Sequence, residues 1–390
     1  MKFTVLISLM SYCTSMTIAE SNFDNEDLKL ELVQVLFRHG ARTPKKSEID
    51  VYNFTPQSSY ESFGLGQLTT KGKQQEYQFG QFLRSRYNSF LGPHYKPKDV
   101  YAFASTADRT QMSLQLVLAG LYPLKDSAAW NPKLNWSPIP YVTAPKKLNI
   151  LLESHKSSKF KRLRKRALKS KEFQRRLASF SDFIKSVKEK TNVRDNDLRA
   201  IIDSTFDVLT ANEHMNLSVP DWYTWEVKQQ FLDVDDIIRD AYVATPELRK
   251  SGPGPLIKTF VQNMNLEENV NNPRKIYLYA GHNTNIGMFT RAHRVNEFRY
   301  PSFGSAVILE KLRNKKNRVY VRLLGWNGSG SLTTLKLASH EKFCPIEDYL
   351  KIVEDVMPSN EEIDDMLADL SAKKIRKIFF KDDQVTKANE

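Results

Sequence analysis

The sequence predicts an α/β fold: a mainly parallel sheet flanked by helices, with a helical cap inserted into it. Three observations predict it. Two apolar runs, Leu32-Val33-Gln34-Val35-Leu36-Phe37 and Ile276-Tyr277-Leu278-Tyr279-Ala280, stop at Arg38-His39 and Gly281-His282. Short runs of this kind, separated by helical patterns, read as strands of a parallel sheet, whose ligands lie outside the strands' carboxyl ends. The stretch of about 130–265 is instead rich in helix formers and charge and poor in strand-like runs.

In chain order, residues 1–19 read as a secretory signal: Lys2, an apolar stretch through Val5, Leu6, Ile7, Leu9 and Met10, and Thr17-Ile18-Ala19 as a cleavage site. Residues 20–130 and 266–358 are expected to form the α/β core. Within it a helix follows Thr70, with Phe79, Phe82 and Leu83 on one face. Another follows Arg109, with Met112, Leu116 and Ala119 at helical spacing. The cap is assigned to 131–265, with Ser251-Gly252-Pro253-Gly254-Pro255 as the breaker at its end. Ser305–Leu312 and Arg318–Leu324, joined by Arg313-Asn314-Lys315-Lys316-Asn317, alternate at Val319, Val321 and Leu323 and read as a hairpin. Two helices close the chain. Ser359 with Glu362 makes a capping box for the second, whose apolar stripe is Ile363, Met366, Leu367 and Leu370. Residues 359–390 are that helix and a basic tail that starts at Lys373-Lys374-Ile375-Arg376-Lys377.

At 390 residues the chain is long enough to bury a large core. Past the signal, no run approaches the ~20 apolar residues that span a bilayer, so a secreted protein without a membrane anchor is expected. Sequons at Asn53, Asn135, Asn216 and Asn327 fit that route, although Pro138 disfavours use of the second. Of the two cysteines, Cys13 lies in the signal. Cys344 therefore has no internal partner and reads as a small buried hydrophobe.

The formal charge is +13, or +12 once Lys2 is removed with the signal, which favours anionic partners. Lys156 to Arg176 holds eleven Lys or Arg among 21 residues against a single Glu172. A solvated cap helix accounts for such a run better than a nucleic-acid or heparin patch, because aromatics are not regularly interleaved.

The chemistry is concentrated in Arg38-His39-Gly40-Ala41-Arg42-Thr43-Pro44. Guanidinium forks match phosphate oxygens two at a time, and an imidazole held between two of them is placed to attack phosphorus. With this motif behind a buried strand, the chain resembles the histidine acid phosphatases. Ala104-Ser105-Thr106-Ala107-Asp108-Arg109-Thr110 is similar to that family's second arginine motif. Tyr279-Ala280-Gly281-His282-Asn283-Thr284 is similar to its C-terminal His-Asp motif, with Asn283 where the family has aspartate.

The resemblance implies the inserted cap, no cofactor or metal, His39 as nucleophile, and Arg38, Arg42, Arg109 and His282 as a phosphate clamp. It also implies that Asn283 occupies the place of the proton donor. An amide has no proton to transfer at physiological pH, and losing a general acid costs ~10²–10⁴ in rate. The expected function is therefore that of a phosphatase-like protein with little turnover, which binds small molecules as secreted salivary relatives in blood-feeding arthropods bind biogenic amines and leukotrienes. The alternative is an active acid phosphomonoesterase working through a phosphohistidine. Pro220-Asp221-Trp222-Tyr223-Thr224-Trp225 is an aromatic cluster beside an acid, which suits an amine. Cap core accounts for it equally well. Trp222, which matches a family position at the pocket mouth, is the expected ligand contact. Expected partners are a small-molecule ligand and phosphate or other anions, with no membrane and nucleic acid disfavoured. The sequence sets no oligomeric state.

Overall fold

A computed structural model describes residues 28–52, 58–124, 130–191, 198, 200–264 and 274–368. The signal, Asn53, Leu370 and the basic tail lie outside the described residues. In chain order the elements are β1 (Leu28–Arg38), α1 (Lys46–Tyr52), α2 (Thr70–Leu91), β2 (Val100–Ala104), α3 (Asp108–Leu121) and β3 (Val142–Thr143). A helical series follows: α4 (Ser158–Leu168), α5 (Lys171–Ala178), α6 (Ser181–Glu189), α7 (Thr205–His214), α8 (Trp225–Asp240), α9 (Pro246–Ser251) and α10 (Gly254–Asn263). The chain returns to the sheet through β4 (Ile276–Gly281) and α11 (Asn283–Ala292), then β5 (Ala306–Asn314), β6 (Val319–Trp326), β7 (Leu332–Leu335) and β8 (Cys344–Pro345). α12 (Ile346–Val353) and α13 (Asn360–Ala368) complete it.

One sheet runs β3-β2-β4-β1-β5-β6-β7, with β8 on β6. β3, β2, β4 and β1 are parallel, and the expected hairpin β5–β6 extends the sheet antiparallel to β1. Both faces of β1 are covered, which is why it is an apolar run rather than an alternating one. Val33, Val35 and Phe37 pack with α2 and α3, whereas Leu32 and Leu36 face α10, α11 and α12. Gln34 is the polar exception on that second face. Its amide donates to Phe260 O (2.8 Å) and accepts from Asn263 (2.9 Å), so burial leaves neither group unpaired.

α2 carries Phe79 and Leu83 into the core as expected, with Phe82 stacked on Trp326 at 4.3 Å. α3 differs from expectation. Its buried stripe is Thr110, Leu114, Val117 and Leu121, and Met112, Leu116 and Ala119 are only half-buried. Small residues decide its orientation. A Cβ on Gly80 would lie 2.2 Å from Val117 O and one on Gly120 2.3 Å from Tyr77 O, so α2 and α3 touch backbone to backbone at that face. β2, β3, β7 and β8 were not evident in the sequence.

The cap is narrower than 131–265. β3 pairs with β2, and Leu152 belongs to the sheet-side cluster. After the breaker, α10 places Leu256, Ile257 and Phe260 on the sheet rather than in the cap. Pro253 N-caps α10, so the breaker starts a core helix instead of closing the insertion. The cap's own cluster draws on α4 to α9, including Phe160, Phe173, Leu177, Phe183, Phe206 and Phe231. The Ser359–Glu362 capping box forms reciprocally, at 2.7 and 3.1 Å. Cys344 is a free, buried thiol whose pKa burial pushes up to about 11.

Glu76 on α2 is fully buried and neither carboxyl oxygen has a hydrogen-bond partner. Burial alone raises its pKa well above the usual range. A carboxyl raised in the fold favours folding below the unfolded value of about 4.3, and that contribution is lost as pH rises towards and through the folded pKa. Glu76→Gln is therefore expected to raise the melting temperature at pH 7.5 and to leave it nearly unchanged at pH 4. Melts at the two pH values test this, and a mutant-to-wild-type difference that is independent of pH would count against it.

Candidate active site

The two motif strands and β2 are adjacent and in register, and that is what gathers the chemistry. Arg38 pairs with Gly281 across β1–β4, and Ala104 with Ala280 across β2–β4. Arg38-His39, Ser105 and His282 thus leave the sheet at one level. Backbone bonds hold the turn: His39 N donates to Gly281 O (3.3 Å), Ser105 N to Ala280 O (3.1 Å) and Arg38 N to Ser305 O (2.8 Å). Gly40 is required by contact. A Cβ there would sit 2.3 Å from Gly72 O, because the loop presses on the first turn of α2.

His39 Nδ1 lies 2.9 Å from Gly40 O. A carbonyl only accepts, so Nδ1 carries the proton and Nε2 keeps its lone pair. Burial, then the charges of Arg109, Arg38, His282 and Arg42, hold the His39 pKa well below its ordinary value. Both effects favour the neutral ring, with its lone pair on Nε2. His282 is 5.5 Å away, ring centre to ring centre. Thr110 Oγ1 donates to a carbonyl, Ala107 O at 2.6 Å, and so accepts from Ser105 Oγ at 2.8 Å. Ser105 Oγ in turn accepts from His282 Nε2 at 3.0 Å, which fixes that tautomer. Burial and then Arg109 depress the His282 pKa as well. Glu153 Oε1 stands 3.9 Å from the same nitrogen.

The three arginines are held differently. Arg42 is gripped by Glu48 through both Nη atoms (2.8 and 3.0 Å), by Thr43 O (3.0 Å), and by Asp207 of α7 (3.0 Å). Burial lowers its pKa and the Glu48 and Asp207 charges more than offset this, so the net shift is upward. Arg38 donates to Pro301 O (2.7 Å), and its Cζ lies 4.0 Å over the Phe303 ring. Arg109 has no hydrogen bond or ion pair among the described residues, and its Nε is buried without a partner. Burial, and then Arg42, lower its pKa to about 10.

These side chains line a cavity of about 140 Å³ between the sheet ends and the cap. His39, Arg38, Arg42, Arg109, His282 and Asn283 all reach it. Asn283 is the first residue of α11, whose amino end also faces the site and favours an anion there. The sequence reading missed Lys45, Glu48, Lys156, Asp207 and Tyr300, which line it too. Trp222 was expected as a ligand contact at the pocket mouth. Trp222 does not line the cavity but packs half-buried on the cap cluster against Tyr223, under Lys190. Tyr223 packs on Phe231 within the same cluster. The cavity's cap-side rings are Phe206, Tyr242 and Tyr300.

The central strand ends of the sheet present one histidine among three arginines and a second histidine, and sequence comparison gives the family. The family model for the histidine phosphatase superfamily (branch 2) matches residues 29–325, and the chain belongs to that family. It is 33% identical over 348 residues to a venom acid phosphatase of Apis mellifera, covering 86% of this chain and 87% of that one. It is 30% identical over 340 residues to the prostatic acid phosphatase of Homo sapiens, covering 85% of this chain and 86% of that one. A phytase of Hafnia alvei shares the fold, with a TM-score of 0.64 at 17% identity over 85% of this chain and 98% of that one. No helix among the described residues is long and apolar enough to cross a membrane.

Proposed function

We propose that the protein captures small phosphate-bearing molecules and turns them over slowly, with alkyl esters the poorest substrates. The observation that carries this is Asn283 in the cavity beside a complete clamp. In the reaction of such a site, His39 Nε2 attacks phosphorus, the P–O bond to the alcohol breaks, and the departing oxygen takes a proton. Water then hydrolyses the phosphohistidine. Arg38, Arg42, Arg109 and His282 support the first event, and Asn283 cannot supply the proton for the second. An aryl oxygen leaves without that proton far more readily than an alkyl one.

Two measurements test the reading. Phosphate should raise the melting temperature, because binding at a hundred times Kd stabilises by about 2.7 kcal/mol. Glycerol phosphate turnover at pH 5 should lie far below that of p-nitrophenyl phosphate. No phosphate shift, or equal rates on both esters, would overturn it.

A second reading, capture of an amine, draws support from the rings of Phe206, Tyr242 and Tyr300 on the cap side, while Asp207 and Asp235 are already paired with Arg42 and Arg239. The wall is mostly polar, with Phe206 and Ile238 as its only aliphatic or phenyl side chains, which does not favour a lipid tail. Calorimetric titration with amines and phosphate in parallel separates the two ligand classes. We also propose secretion, supported by the N-terminal apolar segment and by exposed Asn135, Asn216 and Asn327. Mass spectrometry of the protein from culture medium should show Glu20 as its first residue.

A further inference from the structure

The basic run of 156–176 plays no part in the chemistry above apart from Lys156, yet it dominates the charge of the chain. Its eleven cations and single anion leave ten of the thirteen net positive charges in 21 residues. The structure divides the run into two faces. α4 and α5 bury Phe160, Ala167, Phe173 and Leu177 in the cap cluster. Lys156, Arg164 and Arg176 turn inward, to Glu153, Tyr242 Oη and Asp240. Lys161, Arg162, Lys165, Arg166, Lys169 and Arg175 are exposed and have no ion pair among the described residues.

Folding does not account for that outer face. Lys161/Lys165, Arg162/Arg166 and Lys165/Lys169 are like-charge pairs at i,i+4, each destabilising by roughly 0.2–0.5 kcal/mol. The first turn of α4 has no acidic residue, and Lys161 and Arg162 sit near the helix end that repels cations. Alternating charge would hold the same helix better.

We propose that the outer face of α4 and α5 is a docking surface for a sulfated polysaccharide. The side chains supply both the guanidinium forks that pair with sulfate oxygens and the mobile ammonium groups that follow a flexible chain. α4 is about 16 Å long, enough to meet several sulfates in succession. No large apolar side chain is exposed between 156 and 190, so nothing there enters a bilayer or stacks an unpaired base.

The test compares wild type, the fourfold variant Lys161→Gln/Arg162→Gln/Lys165→Gln/Arg166→Gln, and a control that removes four exposed charges elsewhere, Lys29→Gln/Lys73→Gln/Lys96→Gln/Lys98→Gln. Wild type and control should leave heparin at higher salt than they leave a sulfopropyl resin. The fourfold variant should lose that excess, with its affinity for a heparin octasaccharide falling ~tenfold or more as counterion-releasing contacts disappear. Its melting temperature should hold or rise, since like-charge pairs are removed. Saturating phosphate and the Arg109→Met variant should leave heparin binding intact, which separates this face from the clamp. The proposal is overturned if the control variant loses as much, if phosphate displaces heparin, or if duplex DNA or phosphatidylserine vesicles bind more tightly at the same salt.

Discussion

Asn283→Asp is expected to raise turnover of alkyl phosphates by ~10²–10⁴, the scale of general-acid catalysis. The change is nearly isosteric at the first residue of α11, and the side chain already faces the cavity that His39 lines. Position also sets the pH at which the gain appears. The amino end of α11 and the clamp cations both favour the ionised carboxyl, so the new acid is protonated, and able to donate, in acidic solution. Burial and four neighbouring cationic or ionisable groups depress the His39 pKa and so favour its neutral form. Activity of the variant should therefore peak at acidic pH and fall as pH rises through the pKa of the introduced carboxyl. Phosphate affinity should weaken at neutral pH, where the added carboxylate repels the anion. Assays on glycerol phosphate and p-nitrophenyl phosphate with wild type, Asn283→Asp and Asn283→Asp/His39→Ala distinguish the cases. The gain should be greater on the alkyl ester and should vanish without His39. A gain that survives His39→Ala would remove the nucleophile assignment, and no gain would mean that the cavity has diverged beyond one residue.

Much of the sheet was legible because a strand buried on both faces leaves a continuous apolar signature, and β1 and β4 are such strands. The clustering of the motif residues was legible because they follow those strands directly, so adjacency in the sheet brings Arg38, His39 and His282 together. β2 carries the same information in only five residues, Val100–Ala104, too short to stand out. The α3 stripe was misread although Leu114, Val117, Leu118 and Leu121 stand at helical spacing in the sequence, and the approach of Gly120 to α2 turns that face inward. Asp207 could not be found from the motifs. It lies 165 residues from Arg42 on a cap helix, and only the folded cap brings its carboxylate to 3.0 Å. Trp222 was expected as a ligand contact from its match to a family position at the pocket mouth, and aromatic clusters serve cores and pockets alike: it packs on the cap cluster and is not among the residues that line the cavity.

Arg109→Met is expected to weaken phosphate binding by ~10²-fold while leaving the ligand-free protein as stable or more so. The two effects have one cause. Arg42 has its terminal N–H groups committed to Glu48, Thr43 and Asp207, and Arg38 is anchored by Pro301 O and the Phe303 ring. Arg109 has no comparable partner among the described residues, and burial beside Arg42 makes its charge costly enough to lower its pKa to about 10. A guanidinium kept desolvated and unpaired destabilises the empty site and is relieved when an anion arrives. Methionine fills similar length without a charge, so the empty fold loses a repulsion and no native bond. Charge-assisted hydrogen bonds contribute roughly 1.5–3 kcal/mol each, so removing a two-pronged contact accounts for the loss in affinity. The measurement is a pair of melts with and without millimolar phosphate: the variant should start as high as wild type or higher and shift less. A variant that melts lower when empty but keeps the full phosphate shift would show that Arg109 is structural and that the clamp is built from Arg38, Arg42 and His282 alone.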